Sequence, residues 1–276
     1  MDGSTPSTNP ADSPHVSLRI AFDLDGVLAD MESELVRQAE VVFGEPMTRK
    51  LQERAEAQGP QASSAAPPSN DDDTTDSSEA VHPIGDTLAG TTPPLVKLNM
   101  TSRQERRLWR HVTTIENFWE SLNEIEPGTV ARLADIAAER RWEIIFLTKR
   151  PQTAGVTAQV QSQRWLESKG FALPSVYVVQ GSRGRIAAAL GLDIVIDDRP
   201  ENCLDVVVDS KAKAVLVWRE DEKALPTAAR RLGIGVVPSV AECLNILATV
   251  DTRPSADSTV LGRVKRLLGF KETADA

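Results

Sequence analysis

Hydrophobic and polar positions follow two different periods along this chain, and the switching between them predicts an α/β fold. The run from Ser17 to Phe22 is short and apolar, as expected of a buried strand, and it ends in Asp23-Leu-Asp25-Gly26. From Ala29 to Phe43 the apolar residues Met31, Leu35, Val36, Ala39 and Val42 or Phe43 recur near helical spacing, and Gly44-Glu45-Pro46 closes that helix. After Pro127-Gly128 the alternation becomes strict. Helices are expected at Thr129–Arg140, Ala154–Lys169, Arg183–Leu190, Glu201–Val208, Pro226–Leu232 and Ser239–Leu247. Strands are expected between them at Trp142–Leu147, Ser175–Val179, Asp193–Ile196, Ala214–Trp218 and Gly235–Val237. Short apolar strands alternating with helices imply right-handed crossovers, hence a Rossmann-like parallel sheet with helices on both faces.

A different texture interrupts this pattern after the first strand. Residues from about 53 to 94 are low in complexity, dominated by Ala, Ser, Pro, Asp, Thr and Gln, and bury too little apolar surface to offset the entropy of ordering. Order resumes at Leu95. Ser102-Arg-Gln-Glu105 has the form of a capping box opening a helix toward His111, and Ile115, Phe118, Trp119 and Leu122 form an apolar cluster. The expected organisation is a disordered tail at 1–15, an α/β core at 16–28 and 126–249, and a helical cap at 29–125 inserted after the first strand. The disordered acidic segment lies inside that cap, and a C-terminal tail occupies 250–276.

Composition narrows the function classes. The chain has 276 residues, 41% of them hydrophobic, and a formal net charge of -9, which argues against a general nucleic-acid binder. Between Gly59 and Pro94 there are six acidic residues (Asp71, Asp72, Asp73, Asp76, Glu79, Asp86) and no Lys or Arg, so much of the negative charge is local. Two cysteines, Cys203 and Cys243, make neither a disulfide framework nor a zinc site and read as small buried hydrophobes. No apolar run reaches the length of a membrane span. Met1 to Pro14 lacks the basic start and apolar middle of a secretory signal, so a cytoplasmic location is the expectation. In the tail, Leu261, Val264, Leu267, Leu268 and Phe270 interleave with Arg263, Lys265, Arg266 and Lys271, which predicts a short basic amphipathic helix.

Candidate chemistry collects at one end of the expected strands. Asp23 and Asp25, Thr148, Ser182-Arg183, and Asp197-Asp198 all fall at strand carboxyl ends, where ligands sit in parallel α/β sheets. Packing calls for no carboxylates there. Close carboxylates repel, so the cluster needs a cation or raised pKa values. An oxygen-rich set of carboxylates suits Mg²⁺, which takes a substrate phosphate as a further ligand. A carboxylate attacking phosphorus would form an aspartyl phosphate and split one hard step into two. His15, His82 and His111 show no partner spacing and are not expected to be catalytic.

In order along the chain, Asp23-Leu-Asp25-Gly26-Val27, a strand ending in Thr148, a basic residue, and Asp197-Asp198 resemble the signature elements of the haloacid dehalogenase (HAD) superfamily. The resemblance implies that Asp23 is the nucleophile and a metal ligand. It implies that Asp25 is the general acid and base, with its backbone carbonyl on Mg²⁺. Thr148 would hydrogen-bond a phosphoryl oxygen, and Asp197 and Asp198 would hold Mg²⁺ directly or through water. The superfamily's third-motif base is normally Lys; here the candidates are Arg183 and Arg185, with Arg183 favoured because it directly precedes the helix. Lys149 and Arg150 follow Thr148 and either would add positive potential over a phosphate or form a solvated loop. Phe-Asp-Leu-Asp-Gly-Val-Leu-Ala-Asp30 with Ile196-Asp-Asp-Arg-Pro-Glu-Asn202 is most similar to the 5'(3')-deoxyribonucleotidase branch and its bacterial relatives. In that branch the lid carries aromatic groups near the substrate, a role that would fall to Phe118 and Trp119. The expected function is an Mg²⁺-dependent phosphomonoesterase for a small phosphorylated substrate, with a nucleoside monophosphate as the best guess. The alternatives are a phosphatase for a non-nucleotide metabolite and a non-catalytic interaction protein on the same scaffold.

Overall fold

The computed structural model describes residues 17–58 and 98–249. The tail at 1–15, residues 59–94 of the acidic segment, and the basic helix expected within 250–276 lie outside the described residues. The chain divides into two compact units. Of the described residues, the first comprises 17–31, 119–148 and 159–249; the second comprises 32–58, 98–118 and 149–158.

The first unit is built on six strands: β1 (Arg19–Asp23), β2 (Glu143–Thr148), β3 (Ser175–Val178), β4 (Ile194–Asp197), β5 (Lys213–Val217) and β6 (Gly235–Val237). All adjacent pairs run parallel, in the order β3-β2-β1-β4-β5-β6. The helices are α1 (Met31–Phe43), α2 (Glu45–Gln58), α3 (Ser102–Val112), α4 (Thr129–Arg140), α5 (Ala158–Ser168), α6 (Arg183–Leu190), α7 (Pro200–Asp209), α8 (Thr227–Arg231) and α9 (Val240–Thr249). Strand residues of one parity, Ala21, Ile145, Leu147, Val195, Ala214 and Leu216, pack with Ala187 of α6, Cys203 and Val206 of α7 and Ala229 of α8. The other parity, Ile20, Phe22, Phe146, Ile194 and Ile196, is just as deeply buried. A sheet buried on both faces explains why its strands read as continuous apolar runs. Both cysteines are free and buried. Among the described residues no helix is long and apolar enough to cross a membrane.

The chain leaves β1 toward β2 and β3 on one side, then returns to add β4, β5 and β6 on the other. The reversal lies between β1 and β4, and crevices at such reversals are where open α/β sheets place ligands. Register sets what meets there. Asp23 pairs with Leu147, one residue before Thr148, and Phe22 pairs with Ile196, one residue before Asp197. Three polar strand ends are therefore level at the centre of one edge.

Helices α6 and α7 approach closely because α6 carries Gly184. A β-carbon there would lie 2.0 Å from the Asp205 carbonyl oxygen, a backbone atom that cannot step aside. Alanine is favoured over glycine in a helix by roughly 1 kcal/mol, but overpacking against a fixed backbone costs about 1–3 kcal/mol or more. Gly184→Ala is thus expected to destabilise the protein by about 2 kcal/mol in urea denaturation. An unchanged midpoint would mean the two helices separate freely.

The second unit contains α1 from Glu32, α2 and α3, with buried Leu35, Ala39, Leu51, Leu98, Leu108, Trp109 and Val112. His111 Nε2 lies 3.0 Å from Gln38 Oε1, and the Arg107 guanidinium stacks over Phe43 at 5.4 Å, which ties α3 to α1. Two sequence expectations shift here. The capping box uses Thr101 and Gln104: Gln104 N donates to Thr101 Oγ1 at 3.3 Å, and Thr101 N donates to Gln104 Oε1 at 2.9 Å. The Thr-x-x-Gln pattern one residue upstream fits the motif as well as Ser102-x-x-Glu105 does. Helix α2 also extends to Gln58, into the stretch read as low complexity from about 53, with Leu51 fully buried on it.

Candidate active site

Asp23 is the last residue of the central strand and only 6% exposed. Asp197 ends the neighbouring strand and is fully buried. Asp198 follows it, with its Oδ1 enclosed and lacking a hydrogen-bond partner. Carboxylate oxygens of Asp23, Asp197 and Asp198 all lie within 4.8 Å of one another. Asp25 follows the strand end and accepts a hydrogen bond from Thr148 Oγ1 at 3.1 Å. Gly26 turns the chain at φ +86, and a β-carbon there would come within 2.0 Å of Asp198 Oδ2. Glycine is required at this position on both counts.

Of the two candidate cations, Arg183 is the one brought to the carboxylates. It opens α6 and is 2% exposed. Its Nη2 donates to Asp23 Oδ1, and its Nε lies 3.6 Å from Asp197 Oδ2. Nε and Nη1 are buried without a hydrogen-bond acceptor, so the fork is only partly satisfied by the protein. Arg185 is exposed and lies 3.9 Å from Asp209 on the surface. Two residues along a helix turn a side chain to the opposite side, so only one of the pair can face the sheet.

Lys149 and Arg150 belong to the second unit, Lys149 half-buried and Arg150 buried. Phe118 and Trp119 are buried packing residues, at 1% and 0% exposure, with Phe118 in the second unit and Trp119 in the first. Asn202, absent from the candidate site residues, joins the site: its Nδ2 donates to both Asp197 oxygens at 3.0 Å. The Arg199 amide adds a third bond to Asp197 Oδ1 at 2.9 Å. The available signal was spacing, since five residues after a strand-end aspartate falls in the first turn of the next helix.

Crowding shifts the acids. Burial, then the charges of Asp197, Asp198 and Asp25, push Asp23 well above the ordinary carboxyl range, and Arg183 only partly opposes them. Burial also raises Asp197 against Arg183, the Arg199 amide and Asn202. Asp198 is pushed up from 3.8 to about 8 by burial and then by Asp197. Three carboxylates held where their charge is disfavoured, one with an orphaned oxygen, fit a hard divalent cation. A carboxyl whose folded pKa exceeds its unfolded value stabilises the fold below the unfolded value, and that contribution is lost as pH rises through the folded one. Chelator-treated protein is therefore expected to lose stability between pH 4 and about 8, and a divalent cation to restore most at the upper end. Thermal melts across that range with and without cation check this; a metal effect independent of pH would contradict it.

Solved structures similar to this chain include a HAD family hydrolase from Deinococcus radiodurans R1 with bound phosphate and sodium. It is 17% identical over 88% of this chain and 100% of its own, with a TM-score of 0.46. A hydrolase from Pseudomonas syringae matches at 17% identity over 85% and 100%, with a TM-score of 0.45. A phosphonoacetaldehyde hydrolase like protein from Oleispira antarctica matches at 14% identity over 96% and 98%, with a TM-score of 0.43. No protein-family model and no curated protein matches the chain.

Proposed function

We propose that this chain is a HAD-type phosphohydrolase that uses Mg²⁺ and cleaves phosphate monoesters through an aspartyl phosphate on Asp23. The observation that carries the reading is the meeting of Asp23 with Arg183 and with the oxygens of Asp197 and Asp198 at the carboxyl edge of the sheet. A lone buried carboxylate would be protonated and inert. One flanked by a guanidinium and a cation site can be ionised and directed at an electrophile.

In this reading an Asp23 oxygen forms a bond to phosphorus while the bond to the ester oxygen breaks. Asp25 gives its proton to the departing alkoxide. The ionised Asp25 then takes a proton from water, whose oxygen attacks phosphorus and releases Asp23 and inorganic phosphate. Thr148 Oγ1 donates its one proton to Asp25 at 3.1 Å and so orients that carboxyl; with substrate bound, the same proton would turn to a phosphoryl oxygen instead. The free donors of Arg183 balance charge on the transferring group. Asp23, Asp197 and Asp198, with the Asp25 carbonyl, would hold Mg²⁺, which supplies Lewis-acid neutralisation of the phosphoryl oxygens.

A nucleoside monophosphate is the substrate class proposed, on the motif resemblance to the deoxyribonucleotidase branch. Buried Phe118 and Trp119 are assigned no stacking role. The test is phosphate release from nucleotides, sugar phosphates and simple alkyl and aryl monoesters, with Mg²⁺ and with EDTA. Activity on at least one monoester, lost in EDTA, supports the reading. No activity on any monoester, together with no Mg²⁺ binding by calorimetry, overturns it.

A further inference from the structure

One charged pair in the first unit lies outside the signature residues yet acts on the loop that carries Asp25. Arg219 stands two residues past the end of β5, on the same sheet edge as the site. Its Nη1 donates to the Gly26 carbonyl at 2.6 Å, and its Nη2 donates to the Val27 carbonyl at 3.2 Å. Nη2 also pairs with Glu126 Oε1 at 2.9 Å. Glu126 is itself fixed, because it accepts the amides of Val240 at 3.0 Å and Ala241 at 2.8 Å, the first residues of α9. Burial would raise the Glu126 carboxyl, but those two amides and the Arg219 guanidinium bring it below its ordinary value, so it stays an anion.

The loop needs such a restraint. Leu28 N and Ala29 N both donate to the Leu24 carbonyl, at 2.9 and 2.7 Å, and Gly26 N donates to Ala29 O at 3.1 Å. Those bonds close the loop on itself. They leave the Gly26 carbonyl, on the peptide joining Gly26 to Val27, unheld, and glycine lets that peptide rotate at little steric cost. A forked guanidinium holding two successive carbonyls does fix it, and so holds the two peptides of the loop that follow Gly26.

We propose that Arg219, bracketed by Glu126, is a positioning residue that fixes the Asp25 loop for proton transfer to the leaving group. The proposal rests on the phosphohydrolase reading. It predicts an effect that depends on the leaving group. An alkoxide needs the Asp25 proton, and general acid catalysis contributes about 10²–10⁴-fold, whereas 4-nitrophenolate departs with little help.

The test compares wild type with Arg219→Gln and Arg219→Lys in kcat/KM, which reports transfer to Asp23. For the best alkyl phosphate of the panel we expect a fall of about 30-fold or more in Arg219→Gln, with KM nearly unchanged. For 4-nitrophenyl phosphate the expected fall is under about 3-fold. Lysine can reach one carbonyl but cannot fork, so Arg219→Lys should fall between. An equal loss on both esters means a general structural role and overturns the proposal, as does no loss on either. Hydrogen exchange supplies a readout that needs no activity. The amides of Gly26, Leu28 and Ala29 should exchange at least about tenfold faster in Arg219→Gln, while those of β1 and α4 stay unchanged. Unchanged loop amides overturn the proposal. A wild type inactive on every ester defeats the phosphohydrolase reading instead, and the exchange result still decides whether Arg219 holds the loop.

Discussion

Asp23→Asn is expected to reduce phosphate release by at least about 10⁴-fold while making the metal-free protein more stable at pH 8. The two effects have one cause. An amide oxygen is a poor nucleophile toward phosphorus and forms no acyl phosphate, so both chemical steps lose their partner. The same amide is neutral, and this position disfavours charge: burial and the neighbouring Asp197, Asp198 and Asp25 hold the native carboxyl well above the ordinary range. Above that range wild-type protein must ionise a crowded group or carry a bound proton; the variant does neither. Residues kept at a cost in stability are those that chemistry needs. The measurements are single-turnover phosphate release and urea denaturation in EDTA. Activity retained would remove Asp23 as nucleophile. Lower stability with activity lost would mean its contact with Arg183 outweighs the repulsion.

The sheet was legible because a strand buried on both faces leaves a strong signal. Runs such as Ile194-Val-Ile-Asp197 lie between helices ended by glycine, as at Gly191, and the order of elements leaves few topologies. Helices Thr129–Arg140 and Arg183–Leu190 begin and end where the spacing and the glycines place them. The edge rule for parallel sheets is enough to group Asp23, Thr148 and Asp197. Legibility failed where a role depends on groups distant in sequence. Nothing near Arg219 announces that it reaches two carbonyls about 190 positions away in sequence. Asn202 sat inside a quoted motif, but its grip on Asp197 follows only once α7 is known to start at Pro200. Phe118 and Trp119 were ambiguous for another reason. Composition cannot tell a stacking aromatic from a packing one, and the structure adds that both are buried.

Arg183→Met should be the most destabilising change in the site, by about 3–5 kcal/mol at pH 8 in EDTA. The arginine is 2% exposed and is the cation paired with both Asp23 and Asp197. Methionine retains much of its volume and apolar stem, so packing loss is modest and the main effect is two carboxylates left without a countercharge. That origin fixes the pH dependence. Removing the guanidinium raises the folded pKa of both acids further, and a raised carboxyl costs stability only as pH climbs through it. The deficit should therefore be largest at pH 8 and shrink as pH falls and the two acids take up protons. Mg²⁺ should recover part of the stability at pH 8 by supplying positive charge, but not activity if Arg183 balances charge on the transferring phosphoryl group as proposed. The double variant Asp23→Asn, Arg183→Met should be more stable at pH 8 than Arg183→Met alone, because one of the two orphaned charges has been removed with its partner. A deficit equal at pH 5 and pH 8 would trace the loss to packing, and Arg183 would then be a core residue of α6 that happens to be charged.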